Sequence, residues 1–366
     1  MSTIHHGLEG VVAFETEIAE PDRDGAALRY RGVDISDLAG RVPFEQVWGL
    51  LVDGEYAPGL APAEPLTLPV RTGDVRIDTQ AALAMLAAAY GMRPTYDIGL
   101  DDVRRDAATA AVQVLSYVAQ SARGLDKPIV PQRIVDRCDT LAERFLTRWR
   151  GEPEPAHVAA IDAYWVSAAE HGMNASTFTA RVVTSTGADV AAAMSAAIGA
   201  MSGPLHGGAP ARVLGMIEDV ERLDDLTTYV KRLIDNKQRI MGFGHRVYKA
   251  EDPRARVLRR AAQELDAPRY EIARELERVV LQELRASRPD RVLETNVEFW
   301  AAIVLDFAGV PASMFTSMFT CARTAGWSAH IIEQVQRGRL IRPSANYVGL
   351  GSRPASVVPG WQPREG

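Results

Sequence analysis

Three histidines lie in short segments rich in glycine and other small residues. They are His171 in EHGMNAS, His206 in GPLHGGAP and His245 in MGFGHRVYK. Because glycine lets the backbone approach a ligand and tolerates positive φ values, an imidazole in such a segment can lie against a bound small molecule. Each histidine alone could be a hydrogen-bonded structural residue, but three such segments together favour a binding or catalytic site. No HExxH or HxxxH pattern accompanies them, so the sequence predicts no metal site.

Three arginines could bind an anion. Arg254 in DPRAR lies in the first turn of a predicted helix, where a cation opposes the helix dipole and a bound carboxylate or phosphate would remove the conflict. Arg323 in CARTAGW and Arg342 in LIRPSANYVG lie among small or apolar residues. The alternative for each is a surface arginine whose stem covers apolar groups while its charge stays in water.

Glu298 in ETNVEFW precedes an almost wholly apolar helical segment. A carboxylate that enters such a segment is partly desolvated, which raises its pKa and makes it a candidate proton acceptor. The alternative is an ordinary acidic residue that favours the helix N-terminal dipole.

Length and composition limit the class of protein that carries these residues. The chain has 366 residues, of which 47% are hydrophobic and 24% charged, values that exclude a disordered or low-complexity chain. Its net charge of -6 gives no overall attraction to nucleic acid or anionic lipid. The two cysteines are far apart, no signal peptide is visible, and the apolar run from Val190 to Gly203 is too short to cross a bilayer. We therefore expect a cytoplasmic enzyme with two buried thiols.

The elements that position these residues are predicted to be mainly helices. Residues 10–35 read as short extended pieces around the turn 21–25, which predicts a small β-hairpin. Apolar residues at helical spacing follow, over residues 44–53, 101–124, 216–234 and 271–286. Asp252 and Pro253 mark the start of a further helix as N-cap and first helical residue. Too few β-rich runs remain for a parallel sheet, so the predicted fold class is all-α.

Four segments in a fixed order resemble the signatures of the citrate synthase family, which includes the 2-methylcitrate synthases. They are GPLHGGAP, GFGHRVYKAEDPRAR, TNVEFW and RTAGW. GLEGVVAFETEI, LRYRGVDI and EHGMNASTFTARVV extend the resemblance over nearly the whole chain. The resemblance implies an all-α, two-domain homodimer with a small N-terminal β-hairpin. The large domain would comprise residues 1–205 and 310–366, the small domain would comprise residues 206–309, and the active site would lie between them.

The resemblance also implies roles for individual residues. His206, His245 and Glu298 would be catalytic, with Glu298 as the base that deprotonates the thioester methyl group and His206 as the hydrogen-bond donor to its oxygen. His171, His245, Arg254 and Arg323 would hold oxaloacetate or a related 2-oxo acid, with Arg342 reaching in from the partner subunit. Coenzyme A enters as the co-substrate acetyl-CoA, without a permanently bound cofactor, and its predicted contacts are Arg239, Gly242, Phe243, Gly244, Arg246 and Lys249.

Two features keep alternative functions open. Acetyl-CoA and propionyl-CoA differ by one methylene, which a pocket distinguishes by only about 1 to 3 kcal/mol, so 2-methylcitrate synthase is the alternative activity. Glu298 stands where the family pattern NVDF has aspartate, which also allows a low-activity or regulatory homodimer. A purely helical interaction scaffold ranks last because it needs no histidine or arginine at glycine-rich helix entrances.

Overall fold

The computed structural model describes residues 4–8, 10–22, 27–63, 66–207, 210–223, 225–244, 250–288 and 293–362, except the side chains of residues 210 and 211. Helices account for most of the regular structure in these ranges. In chain order they are α1 (Ile35–Leu38), α2 (Phe44–Asp53), α3 (Val75–Ala84), α4 (Leu86–Tyr90), α5 (Leu100–Arg123), α6 (Gln132–Val135), α7 (Leu141–Arg150), α8 (Pro155–Ala168), α9 (Ala175–Thr184), α10 (Val190–Met201), α11 (Pro210–Val220), α12 (Leu226–Asp235), α13 (Pro253–Glu264), α14 (Tyr270–Ser287), α15 (Val297–Phe307) and α16 (Phe315–Arg337). Short 3-10 turns lie at His6–Leu8, Thr95–Asp97, Ala312–Met314 and Ala355–Val357. The predicted all-α class is confirmed.

The strands form one small antiparallel sheet near the N-terminus. Its members are β1 (Ala19–Asp22), β2 (Ala27–Tyr30) and β3 (Val33–Asp34), in the order β1-β2-β3. The predicted hairpin is confirmed, but its first strand begins at Ala19. Residues 10–18 form no strand, because they make no pairing with β2, whose partner residues begin at Ala19. Val12 in this stretch is exposed. Most of the predicted turn lies outside the described residues.

Helix boundaries follow local signals where those signals are strong. The predicted helix over residues 44–53 is α2, and those over 101–124 and 271–286 are α5 and α14 within one residue at each end. The helical period over 216–234 does not belong to one helix, because α11 ends at Val220 and α12 starts at Leu226. Asp225 is the N-cap of α12 and accepts a hydrogen bond from the Thr228 backbone N–H at 3.0 Å, so the second helix has its own start signal.

Helix α16 forms the centre of the main core and packs against α2, α5, α8, α9 and α10. A second group consists of α13, α14 and α15, with α13 and α15 both packed on α8. The proposed division into a large and a small domain stays a prediction. Cys138 and Cys321 are buried and unpaired, as predicted. Among the described residues, no helix is long and apolar enough to cross a membrane.

Candidate active site

The N-termini of α13 and α15 meet at one fully buried carboxylate, Asp252. Its Oδ1 accepts hydrogen bonds from the Arg254 backbone N–H and Nε, both at 3.0 Å, and its Oδ2 accepts one from Arg254 Nη2 at 2.8 Å. The Val297 backbone N–H donates to the same Oδ2 at 3.1 Å. Asp252 therefore caps α13, offsets the conflict between Arg254 and the helix dipole, and fixes the buried guanidinium beside the start of α15.

Glu298 lies in the first turn of α15 and is partly buried. Its backbone N–H donates to Asn296 Oδ1 at 3.0 Å, which makes Asn296 the N-cap of this helix. Burial raises the pKa of Glu298, and the positive charges of Arg254 and Arg239 offset only part of that rise. The carboxylate is thus desolvated, as the sequence predicted, and it lies near the cation of Arg254.

The segment that precedes His245 runs beside the start of α15. The Asn296 backbone N–H donates to the Gly242 carbonyl at 2.9 Å, and Asn296 Nδ2 donates to the Gly244 carbonyl at 2.9 Å. Gly242 has φ of +86°, and a Cβ at this position would lie 2.9 Å from Phe299 Cβ, so both the conformation and the close approach require glycine. Asn296 thereby ties the glycine-rich segment to the helix that carries Glu298.

Some predicted residues of this segment have a described position and others do not. Arg239 is exposed near Glu298, and Phe243 packs its ring against that of Phe299 with centroids 5.3 Å apart. The residues His245, Arg246 and Lys249 lie outside the described residues. Their roles in catalysis and coenzyme A binding stay predictions.

His206 lies in the turn after α10, with its imidazole partly buried. Burial lowers its pKa to about 4, and the nearby charge of Arg323 contributes to the shift. The ring is therefore neutral at neutral pH and carries one N–H. Its Nε2 lies 2.9 Å from Ser176 Oγ.

The buried hydroxyl of Ser176 is the hydrogen-bond partner of one ring nitrogen of His206. Ser176 Oγ accepts from Trp327 Nε1 at 3.3 Å and donates to Asn174 Oδ1 at 2.8 Å, and its one hydrogen can instead turn to His206 Nε2. When the hydroxyl donates to His206 Nε2, the imidazole must carry its proton on Nδ1. That tautomer presents an N–H on the side of the ring away from Ser176.

We expect Ser176→Ala to lower turnover about tenfold, because His206 loses the hydrogen bond that fixes its ring orientation and tautomer. Removing a group that orients a functional imidazole typically has an effect of this size. Thr177→Ala is the matched control, since it removes a neighbouring buried hydroxyl that makes no hydrogen bond to a described residue. Steady-state kinetics on both purified variants test this. Equal turnover of Ser176→Ala and wild type would show that the serine does not set the tautomer.

Arg323 is fully buried in α16 and close to the other site residues. Its Nε donates to the Ala168 carbonyl at 3.0 Å, and its guanidinium lies 4.7 Å from the centre of the Phe319 ring. Burial lowers the pKa of Arg323; the Glu170 carboxylate opposes this shift, and the charge of Arg254 adds to it. Two buried guanidinium groups therefore lie within electrostatic range of each other, Arg254 paired with Asp252 and Arg323 near Glu170, and guanidinium groups suit the binding of carboxylates.

Glu170 is a buried carboxylate near Arg323 and directly precedes His171. Burial alone would raise the pKa of Glu170, but His330 and Arg323 together hold it below its usual value. His330 Nε2 lies 3.2 Å from Glu170 Oε1. The close approach also explains the glycine of the RTAGW segment, since a Cβ on Gly326 would lie 2.1 Å from Glu170 Oε2.

The structure brings His206, Glu298, Arg254 and Arg323 into one neighbourhood. Arg323 influences the pKa of His206, and Arg254 influences those of both Arg323 and Glu298. Burial also raises the pKa of Tyr164, a residue that experiences the charges of both arginines and of Glu298. The partly buried His171 adjoins this region through Glu170. The site therefore combines a desolvated carboxylate, a neutral imidazole and two buried guanidinium groups.

Arg342 does not join that cluster within this chain. It is exposed in the segment after α16, where the Ile341 backbone N–H donates to Ser185 Oγ at 3.0 Å. Sequence reasoning missed the residues that hold the site together. Asp252 was predicted only as an N-cap, and Ser176, Asn296 and Glu170 were not predicted, although each lies within a motif that carries a predicted residue.

Comparisons with known proteins identify the family of this chain. The family model described as citrate synthase, C-terminal domain, matches residues 7–344. A provisionally named citrate synthase 2 of Mycobacterium tuberculosis is 66% identical over 357 residues, covering 97% of this chain and 96% of that protein. Citrate synthase of Synechocystis is 35% identical over 372 residues, with 94% and 90% covered.

A solved structure shows the same fold over the full length. It is the ternary complex of carboxymethyl coenzyme A and oxaloacetate with citrate synthase from Thermoplasma acidophilum, with a TM-score of 0.80 and 27% identity. The similarity covers 97% of this chain and 98% of that one. Family model, relatives and fold all extend over nearly the whole sequence, and this chain is an enzyme that belongs to the citrate synthase family.

Proposed function

We propose that the enzyme joins an acyl-CoA thioester to oxaloacetate, with acetyl-CoA as the acyl donor and citrate and coenzyme A as products. One observation carries the proposal: a carboxylate with a raised pKa, a neutral imidazole and two buried arginines share one site. Deprotonation beside a carbonyl requires a base and a donor to the developing oxyanion, while a dicarboxylate substrate requires cations.

The residues fit the steps of this condensation. Glu298 removes a proton from the methyl group of acetyl-CoA, and a His206 N–H donates to the thioester oxygen as negative charge develops there. The resulting methylene carbon attacks the ketone carbon of oxaloacetate, which forms the carbon–carbon bond and places the charge on the former ketone oxygen. That oxygen takes up a proton, with His245 as the proposed donor. Water then cleaves the citryl thioester, giving citrate and the free thiol of coenzyme A.

A neutral His206 suits this role better than a charged one. With its pKa lowered to about 4 by burial, the ring stays neutral through the pH range in which Glu298 must be ionised. A protonated imidazole beside Arg323 would add a further positive charge to a buried site that already contains two guanidinium groups. The Arg323 charge therefore helps to keep the donor in its neutral form.

The same arginines account for the second substrate. Arg254 and Arg323 would pair with the carboxylates of oxaloacetate, with the partly buried His171 as a third contact. Backbone of the segment 239–244 would lie against coenzyme A, because its glycines allow close approach. Arg239, Arg246 and Lys249 would supply positive charge for the phosphates.

We further propose that the chain acts as a homodimer. After α16 the chain runs from residue 338 to 362 as an arm with many exposed large apolar side chains: Leu340, Tyr347, Val348, Leu350, Val357, Val358 and Trp361. An arm of this composition is stable when it packs against another surface, and a second copy of the chain supplies one. Arg342 lies on this arm and would enter the partner's site.

A cytoplasmic location, supported by two free buried thiols, and a role in the tricarboxylic acid cycle complete the proposal.

A thiol-release assay tests the function directly. Purified enzyme is mixed with oxaloacetate and either acetyl-CoA or propionyl-CoA, and free coenzyme A is measured over time. We expect release that requires oxaloacetate and is faster with acetyl-CoA. Faster release with propionyl-CoA would assign 2-methylcitrate synthase activity instead. Saturable oxaloacetate binding without release from either donor would indicate a regulatory protein.

A further inference from the structure

A buried carboxylate on α14 connects the two helices that carry the site. Glu277 Oε1 accepts a hydrogen bond from Trp300 Nε1 of α15 at 2.9 Å. Its Oε2 accepts one from Arg259 Nη1 of α13 at 3.0 Å. Glu277 is only 4% exposed, so each of its oxygens depends on these partners in place of water.

Each partner belongs to a helix whose first turn contains a proposed site residue. Arg259 follows Arg254 along α13, and Trp300 follows Glu298 by two positions along α15. Two positions correspond to a rotation of about 200° around a helix, so Trp300 and Glu298 project from opposite sides of α15. Glu277 therefore holds α15 from the side away from the base.

The contacts around Glu277 limit movement of these helices. The Arg259 guanidinium lies 5.9 Å from the centre of the Trp300 ring, so the three side chains form a closed group. Arg259 Nη2 also pairs with Glu251, the residue before the N-cap of α13. The group thus contacts α13 at its start and within the helix, and it contacts α15 through a fully buried indole.

We propose that Glu277 is a positioning residue that sets the separation of α13 and α15, and with it the placement of Arg254 relative to Glu298. The inference rests on the proposed function, in which Arg254 binds oxaloacetate and Glu298 is the base. The two carboxylate oxygens of Glu277 have separable effects. The bond from Trp300 positions the base, and the bond from Arg259 positions the oxaloacetate-binding helix.

Three variants separate these effects when oxaloacetate affinity is measured by calorimetry and turnover is measured with both substrates saturating. We expect Trp300→Phe to lower turnover about tenfold and to change the oxaloacetate Kd by less than about twofold, because small displacements of a catalytic group reduce rate. Arg259→Gln should raise the Kd about tenfold, with turnover within about threefold of wild type. Glu277→Gln should do both. Glu275→Gln is the matched control, since it removes the same charge from an exposed ion pair with Arg278 on the same helix.

The outcomes distinguish positioning from simple loss of stability. If Glu277→Gln matches Glu275→Gln in Kd and turnover, or if Trp300→Phe and Arg259→Gln change both constants in equal proportion, Glu277 has no positioning role. Arg259 is partly exposed, so its variant is expected to fold even if the substitution of the buried tryptophan is not tolerated. Absence of turnover in the wild-type enzyme would instead contradict the proposed function.

Discussion

Replacing Glu298 with glutamine should reduce exchange of the acetyl-CoA methyl protons about a thousandfold, because a positioned general base contributes on this scale. Glutamine fills the same space, but its amide cannot accept a proton at neutral pH. Exchange is measured in deuterated water by proton NMR of the methyl group without oxaloacetate, so that condensation does not consume acetyl-CoA. Exchange at the wild-type rate would show that another residue is the base.

The stability of this variant provides an internal control. Because burial raises the pKa of Glu298, the folded state binds its proton more tightly than the unfolded state. Stability is therefore lost as pH rises through the interval between the ordinary glutamate pKa and the raised value. At neutral pH, Glu298→Gln removes this cost, so its melting temperature should equal or exceed that of wild type. A loss of exchange accompanied by a lower melting temperature would indicate damage to the fold.

The raised pKa also predicts the acidic limb of the pH–rate profile. Glu298 must be ionised to accept a proton, so turnover falls as pH decreases through a pKa above that of ordinary glutamate. His206 does not set this limb, since its pKa of about 4 lies below the ordinary glutamate value. Glu298→Asp should be slower than wild type by up to about a hundredfold, because the shorter side chain retracts the carboxylate. A faster aspartate variant would show that the site is built for the family's usual acid.

Local signals in the sequence were sufficient for much of the fold. Asp252 followed by Pro253 combines an N-cap with a preferred first helical residue, and α13 starts there. Periodicity alone was insufficient over residues 216–234, because the apolar spacing continues across the break between Val220 and Leu226, where Asp225 caps a new helix. Long apolar patterns therefore identified helices more reliably than the boundaries between them.

The candidate site contains residues that local motifs indicate and supporting residues that local motifs do not indicate. Residues within motifs, such as His206 and Arg254, could be predicted from their neighbours along the chain. Their supporting partners could not, because the contact between His206 and Ser176 or between Glu277 and Trp300 joins segments that only tertiary packing brings together. His330, which sequence reasoning left without a role, is fully buried beside Glu170 for the same reason.

Arg342 differs from Arg254 and Arg323 because it is exposed within its own chain, whereas they are buried. α16 ends at Arg337 with Gly338 in the left-handed conformation, and Pro343 prevents a return to helix immediately after Arg342. The chain therefore leaves α16 as an extended arm, and the proposed dimer would place this arm on the partner subunit. If Arg342 pairs with an oxaloacetate carboxylate there, Arg342→Ala should weaken binding by about 2 to 5 kcal/mol, since one charge-assisted partner is lost. This corresponds to a Kd increase of roughly thirtyfold to a few thousandfold.

Mixed dimers test whether this contribution crosses the interface. Arg342→Ala and His206→Ala chains should each be nearly inactive as homodimers, assayed at an oxaloacetate concentration near the wild-type KM. In a mixed dimer, the site of the Arg342→Ala chain retains His206 and receives an intact arm from its partner, whereas the other site lacks both residues. Random pairing makes half of the dimers mixed and leaves one intact site in each, so co-refolding equal amounts should recover about a quarter of wild-type activity if the sites are independent. Native mass spectrometry verifies the mixed species. Verified mixed dimers without recovered activity would place Arg342 in its own chain's site or outside the active site.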